Sequence, residues 1–226
     1  NMVARALASS YRVTSIDVRN HGQSFHLNEM SYQSLANDIV RLLDFLKITS
    51  TAVLGHSMGG KIAMQLAFSQ PERINKLIVA DIAPVQYPAH HQKIIEGLKA
   101  IELTKVTKRS DADTQLAAYV ENQGVRQFLL RNIASKNGQF YFKCQLDFIG
   151  HCYPQIMAAL DNTQCFTGPT LFIKGGASDY LQAAHKDIIN RLFPNSKAKV
   201  IAGAGHWLHA EKTTIFNKIL HNFLTS

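Results

Sequence analysis

Thr51-Ala52-Val53-Leu54-Gly55-His56-Ser57-Met58-Gly59-Gly60-Lys61-Ile62-Ala63-Met64-Gln65-Leu66-Ala67-Phe68 is the stretch that decides how this chain is read. An apolar run of strand length enters Gly-His-Ser-Met-Gly, and an apolar run of helical length leaves it. A Gly-X-Ser-X-Gly match by itself occurs often by accident. Between a strand and a helix it specifies a sharp turn. The glycines permit a strained backbone, and Ser57 is lifted above the strand end. Met58 then opens a helix, where its backbone N–H has no intrahelical acceptor and can donate to a developing oxyanion. Ser57 is the candidate nucleophile and the Met58 N–H a candidate oxyanion donor. Lys61, one turn further on, is expected to face solvent.

The pattern on either side is α/β. A strand is expected at Val13–Val18, ended by the polar turn Arg19-Asn20-His21-Gly22, and a helix from Ser31 to Leu46. After the central helix comes a strand at Lys76–Asp81. Strands at Thr170–Lys174 and Ala198–Ile201 then alternate with helices at about Leu181–Phe193 and Glu211–Leu224. Short apolar strands alternating with helices imply a mostly parallel sheet covered on both faces. Right-handed crossovers bring every strand's C-terminal end to one edge, where sites form in such sheets. From Pro84 to Phe166 no strand is expected, only amphipathic stretches such as Ile94-Ile95-Leu98-Ile101 and Phe128-Leu129-Leu130-Ile133. The domain reading is therefore a core at 1–83 and 166–226, with 84–165 inserted as a helical cap.

Composition narrows the function classes. The chain has 226 residues, 46% of them hydrophobic and 18% charged, enough for a packed core and too apolar for disorder. The net charge is +8, but Lys and Arg are scattered, and the densest group, Lys105 to Arg109, sits beside Asp111 and Asp113. A solvated helix end accounts for it, so nucleic acid is not an expected partner. Cys144, Cys152 and Cys165 are odd in number with no CxxC spacing, which disfavours a disulfide framework or a zinc site. Reduced thiols point to a cytoplasmic protein. No apolar run approaches the roughly 20 residues of a membrane span.

A serine hydroxyl needs a base. Ala202-Gly203-Ala204-Gly205-His206-Trp207 follows the last strand on the same edge and offers His206, chosen by position among ten histidines. His209 is expected at the start of the last helix. Two carboxylates could orient the imidazole. Asp81 ends the strand after the nucleophile helix, and Asp179 follows Gly175-Gly176-Ala177-Ser178; topology leaves both open. Arg19 and His21 lie at the same edge, where a structural hydrogen-bond network is the simpler reading. Trp207 and Phe25 could line an acyl pocket or pack.

Taken together, Asp17-Val18-Arg19-Asn20-His21-Gly22-Gln23-Ser24, Gly55-His56-Ser57-Met58-Gly59-Gly60-Lys61, Asp81-Ile82-Ala83-Pro84, Gly124-Val125-Arg126-Gln127-Phe128-Leu129-Leu130 and Ala202-Gly203-Ala204-Gly205-His206-Trp207-Leu208-His209-Ala210-Glu211-Lys212 resemble the YbfF-type bacterial esterases of the α/β-hydrolase superfamily. The likeness runs over nearly the whole chain. It implies an α/β-hydrolase fold with a helical cap, no metal and no cofactor, and hydrolysis of short acyl esters and acyl-CoA thioesters. It implies Ser57, Asp81 and His206 as the catalytic set, with Ser178 joining as a fourth member and Asp179 one residue off the superfamily's more usual acid position. The expected partner is a small-molecule acyl ester or thioester, and the expected state a monomer or small homo-oligomer. The superfamily draws its second oxyanion donor from a loop after an earlier strand. Asn1 to Ala8 reads as a helix already under way, so that donor is expected from a segment ahead of Asn1. A carbon–carbon bond hydrolase or lyase on the same fold, and a catalytically silent binding protein, are the alternatives. The presence of both Ser57 and His206 weighs against the silent protein.

Overall fold

The computed structural model describes residues 2–161 and 163–226. In chain order the first elements are helix α1 (Met2–Leu7), helix α2 (Tyr32–Phe45), strand β1 (Thr51–His56), helix α3 (Met58–Ser69) and strand β2 (Ile74–Ala80). Helices α4 (Gln92–Lys99), α5 (Arg109–Leu116) and α6 (Gln123–Leu129) follow. Then come strands β3 (Ile133–Lys136) and β4 (Gln139–Phe142) and helices α7 (Leu146–His151) and α8 (Tyr153–Met157). The chain closes with β5 (Thr170–Gly175), α9 (Lys186–Leu192), β6 (Ser196–Ile201), α10 (Leu208–Glu211) and α11 (Thr213–Thr225). The chain divides into two compact units, residues 1–15, 32–86 and 158–226 in one and 16–31 and 87–157 in the other.

The first unit is built on a four-stranded sheet in the order β1-β2-β5-β6, every pairing parallel. Parallel strands put all four C-terminal ends on one edge. Ser57, Asp81, the turn after Gly175 and the loop to His206 therefore share that edge. The central strands are the apolar ones. Leu77 to Ala80 and Thr170 to Ile173 are buried, whereas Leu54 of β1 and Val200 of β6 are exposed. Helix α3 is mostly apolar and is buried from Gly60 to Phe68, Lys61 and Gln65 included. Burying a Leu66 or Ile62 side chain there contributes roughly 2–3 kcal/mol. On one face the sheet packs Ile78, Leu171, Ile173 and Ile201 with Phe216 and Leu220 of α11.

Two expectations fail here. Val13–Val18 is not a strand: residues 12–18 form no ladder, and Val13 and Ile16 are exposed. The segment has strand-forming residues, but a strand exists only by pairing, and β1 pairs with β2 alone among the described residues. Conversely, the stretch expected to lack strands contains the antiparallel hairpin β3–β4. Its signal is Asn137-Gly138, a two-residue loop with both φ positive, 52° and 78°. This is the conformation that Asn-Gly supplies most readily between antiparallel strands. Flanking alternation turns Phe140 and Phe142 toward the apolar cluster of the second unit and leaves Tyr141 exposed.

The second unit joins its two segments through backbone contacts. His21 bridges Cys144, and the Gln145 N–H donates to the Asn20 carbonyl (2.8 Å). Arg126 is a staple within it. Its guanidinium donates to Asp113 and to the carbonyls of Val120 and Glu121. Among the described residues no helix is long and apolar enough to cross a membrane.

Candidate active site

The site begins with the bend after β1. Ser57 has φ 54° and ψ −123°, a region a side chain occupies only when its surroundings impose it. The Ser57 N–H continues the sheet ladder to the Ala80 carbonyl (3.0 Å). The glycine requirement can be read atom by atom. A Cβ on Gly55 would lie 2.0 Å from the Gly59 carbonyl oxygen, and one on Gly60 would lie 2.5 Å from Ile82 Cγ2. A Cβ on Gly59 would meet nothing within 4 Å. Space therefore demands glycine at 55 and 60, and the second glycine of the motif is not sterically required.

Ser57 Oγ–H donates to His206 Nε2 (3.0 Å). His206 Nδ1–H donates to Asp81 Oδ2 (2.8 Å), and Asp81 is fully buried. Ser178 Oγ–H donates to the same Asp81 oxygen, and the Gly175 N–H donates to Asp81 Oδ1 (2.9 Å). Burial pushes the Asp81 carboxyl up, but the hydrogen bonds from His206, Ser178 and Gly175 outweigh it and hold it below its usual value. The structure thus brings together Ser57, His206, Asp81 and Ser178, with Met58 at the first turn of α3. Asp179, the other carboxylate left open by topology, is exposed; its carbonyl accepts from Gln182 Nε2 (2.8 Å). The donor expected from a segment ahead of Asn1 lies outside the described residues.

The other candidates take the following places. Arg19 is buried and pairs with Glu29, its Nη1–H donating to both Oε2 (2.6 Å) and the carbonyl (3.0 Å). Asn20 beside it exchanges two hydrogen bonds with the Leu27 backbone. This is the structural network expected of that loop. Phe25 is half exposed, 5.4 Å beneath the Arg19 guanidinium. Lys61 reverses expectation: it is buried, its Nζ donates to the Ala158 carbonyl (2.6 Å), and its ammonium lies over the Tyr32 ring. Burial lowers its pKa to about 8. Every side of α3 is covered, so a lysine on it has no route to water. His209 lies in α10 with its ring 4.6 Å from His56, and its Nδ1 is buried without a partner.

Two neighbours of His206 carried no sequence signal as site residues. His56 Nε2–H donates to the His206 carbonyl (2.8 Å), and their rings lie 4.7 Å apart. Tyr180 stacks on the His206 ring, centroids 3.9 Å apart and planes 21° apart. Burial, followed by the charges of His206 and His209, drives the His56 pKa down from 6.5 to about 4. Between those values the unfolded chain binds a proton that the folded chain refuses. Stability is therefore expected to fall as pH falls from 6.5 to 4, by about 3 kcal/mol. Asp81 acts lower: its contribution is present above its unfolded value and lost as pH drops through its depressed folded one. Urea midpoints at pH 7, 5.5 and 4 are the measurement, and His56→Gln is expected to flatten most of this slope. An unchanged slope in that variant would assign it to His209 or His185, which burial shifts in the same direction.

Among the described residues no group of three or more His, Cys, Asp or Glu is placed to hold a metal ion. Cys144 and Cys152 are buried thiols whose pKa burial raises, and Cys165 is exposed.

A parallel sheet carrying a serine bend after one strand and its histidine after the last is the plan of the α/β-hydrolase fold. The chain belongs to that family: the family model described as alpha/beta hydrolase fold matches residues 1–213. Among its relatives, the sn-1-specific diacylglycerol lipase ABHD11 of Mus musculus is 37% identical, over 99% of this chain and 76% of that protein. Esterase YbfF of Escherichia coli is 34% identical, over 99% of this chain and 86% of that protein. A solved marine microorganism esterase superposes with a TM-score of 0.93 at 38% identity, over 98% of this chain and 88% of that one.

Proposed function

We propose that this chain is a serine esterase that hydrolyses short acyl esters, and acyl-CoA-type thioesters, through an acyl-enzyme. The single observation that carries the reading is the unbroken line of hydrogen bonds from Ser57 Oγ through His206 to buried Asp81. The names of the relatives, esterases and diacylglycerol lipases, agree with ester chemistry. Within this reading 1–83 and 166–226 form the catalytic core and 84–165 an insertion, with 16–31 grouping with the inserted stretch and 158–165 with the core.

The chemistry follows from the bonds. His206 Nε2 takes the Ser57 proton as Oγ attacks the acyl carbonyl, and the carbonyl π electrons move to oxygen. The Met58 N–H donates to that oxyanion. Asp81 holds the Nδ1–H tautomer and stabilises the imidazolium. As the tetrahedral centre collapses, the bond to the leaving alkoxide or thiolate breaks and His206 returns the proton to it. Water, deprotonated by the same imidazole, then attacks the acyl-enzyme; carboxylic acid leaves and Ser57 Oγ regains its proton. Ser178 adds a second donor to Asp81 Oδ2 and Gly175 supplies one to Oδ1, so neither oxygen of the buried charge lacks a partner.

A substrate series tests the reading: p-nitrophenyl acetate, butyrate and palmitate, acetyl- and palmitoyl-CoA, and an emulsified diacylglycerol. The expected result is highest kcat/KM on the acetyl and butyryl substrates, esters and thioesters alike. A preference for the diacylglycerol would replace the short-chain assignment. No turnover of any, with Ser57 still labelled by a fluorophosphonate, would remove the esterase reading.

A further inference from the structure

Two hydrogen bonds hold the His206 imidazole at Nδ1 and Nε2. They fix the line between those atoms but leave the ring plane free to tilt about it. Tyr180 supplies the missing constraint. Its ring lies nearly flat on the imidazole, 3.9 Å between centroids.

The loops bearing the two rings are knit together at backbone level. Ala177 N–H donates to the Ala204 carbonyl (2.9 Å) and Gly176 N–H to the Ile201 carbonyl (2.9 Å). A Cβ on Gly175 would stand 2.1 Å from the Gly205 carbonyl oxygen, so the two chains touch without room for a side chain. The turn is also braced internally. Ser178 N–H donates to the Gly175 carbonyl (3.0 Å), Lys174 Nζ donates to the Ser178 carbonyl, and Tyr180 N–H donates to Ser178 Oγ (3.3 Å). The hydroxyl that receives the Tyr180 N–H is the one that donates to Asp81. Tyr180 is thereby tied to Asp81, the support on the Nδ1 side of the imidazole.

We propose that Tyr180 is a positioning residue for His206, its ring face setting the tilt of the imidazole and stabilising the imidazolium that forms during acyl transfer. The inference rests on the esterase reading above. An aromatic face carries negative quadrupolar charge, so it attracts the charged imidazolium more strongly than the neutral ring. That difference is realised only as the proton is transferred, and interactions stronger in the transition state raise kcat rather than lower KM.

The test compares wild type, Tyr180→Phe and Tyr180→Leu on p-nitrophenyl acetate, together with the rate at which a fluorophosphonate labels Ser57. Tyr180→Phe keeps the ring and is expected to stay within about two-fold of wild type in kcat. Tyr180→Leu is expected to lose roughly ten- to thirty-fold in kcat with KM within about two-fold, and to slow labelling by a similar factor. Thermal melts normalise both to folded protein. Wild-type kcat in the Leu variant would overturn the proposal. So would a Phe variant as slow as the Leu variant, because the ring would then not be the active part. Should wild type hydrolyse no ester, the esterase reading fails by itself, and the labelling rates still decide whether Tyr180 serves His206.

Discussion

Ser57→Ala is expected to lower turnover of an acetyl ester by on the order of 10^5- to 10^6-fold, and His206→Ala by about the same. The double variant is expected to be hardly worse than either single one. The two side chains act as a unit: the hydroxyl is a poor nucleophile without its base, and the base has nothing to deprotonate without the hydroxyl. Ser57→Ala should not disturb the fold, whereas His206→Ala removes one donor from buried Asp81 and is expected to cost about 1–3 kcal/mol of stability. Ser57 Oγ leaves only its bond to His206 behind, and alanine tolerates the Ser57 backbone no worse than serine does. Steady-state kcat on the purified variants, with the fluorophosphonate-labelled fraction as a control for contaminating enzyme, is the measurement. Losses that multiplied in the double variant would mean that the two residues act in separate steps, and the proposed line of proton transfer would be wrong.

Asp81→Asn is expected to cost about 10^4-fold in kcat, while Asp179→Asn stays within about two-fold of wild type. The asparagine keeps the shape but loses the charge. Asp81 receives three donors, from His206, Ser178 and Gly175. An amide placed there turns its own NH2 toward at least one of them. His206 then favours the tautomer with hydrogen on Nε2, which faces Ser57 and can no longer accept its proton. The loss should fall on kcat, with a stability cost of about 1–3 kcal/mol for weakened buried hydrogen bonds. Asp179 is exposed and outside the hydrogen-bonded set. Equal losses in the two variants would show that the acid is shared between them and that the Asp81 geometry is not the working one.

Much of the site was legible because its signals are local. A serine bend needs glycine where backbone meets backbone, and Gly55 is written two positions before Ser57. The His206 loop shows itself by a run of small residues after a strand. Asn137-Gly138 is an equally local hairpin signal, set in a segment whose amphipathic stretches otherwise read as helical. The choice between Asp81 and Asp179 was not legible in residue pattern and topology, since both follow strands that end on the same edge; resemblance favoured Asp81.

Sequence by itself determined the alternation of strands and helices, hence the parallel sheet, the edge that carries the site, and Ser57 and His206 as its poles. These follow from hydrophobic period and turn chemistry, which act over a few residues. Tertiary structure decided which groups face one another across long separations. It set Asp81 against His206, 125 positions away, and His56 against the His206 carbonyl, 150 away. It also buried Lys61 within α3, laid Tyr180 on the imidazole and left Val13–Val18 without a pairing strand among the described residues. A side chain's burial and partners depend on what other segments bring to it, and no short-range pattern encodes those distances.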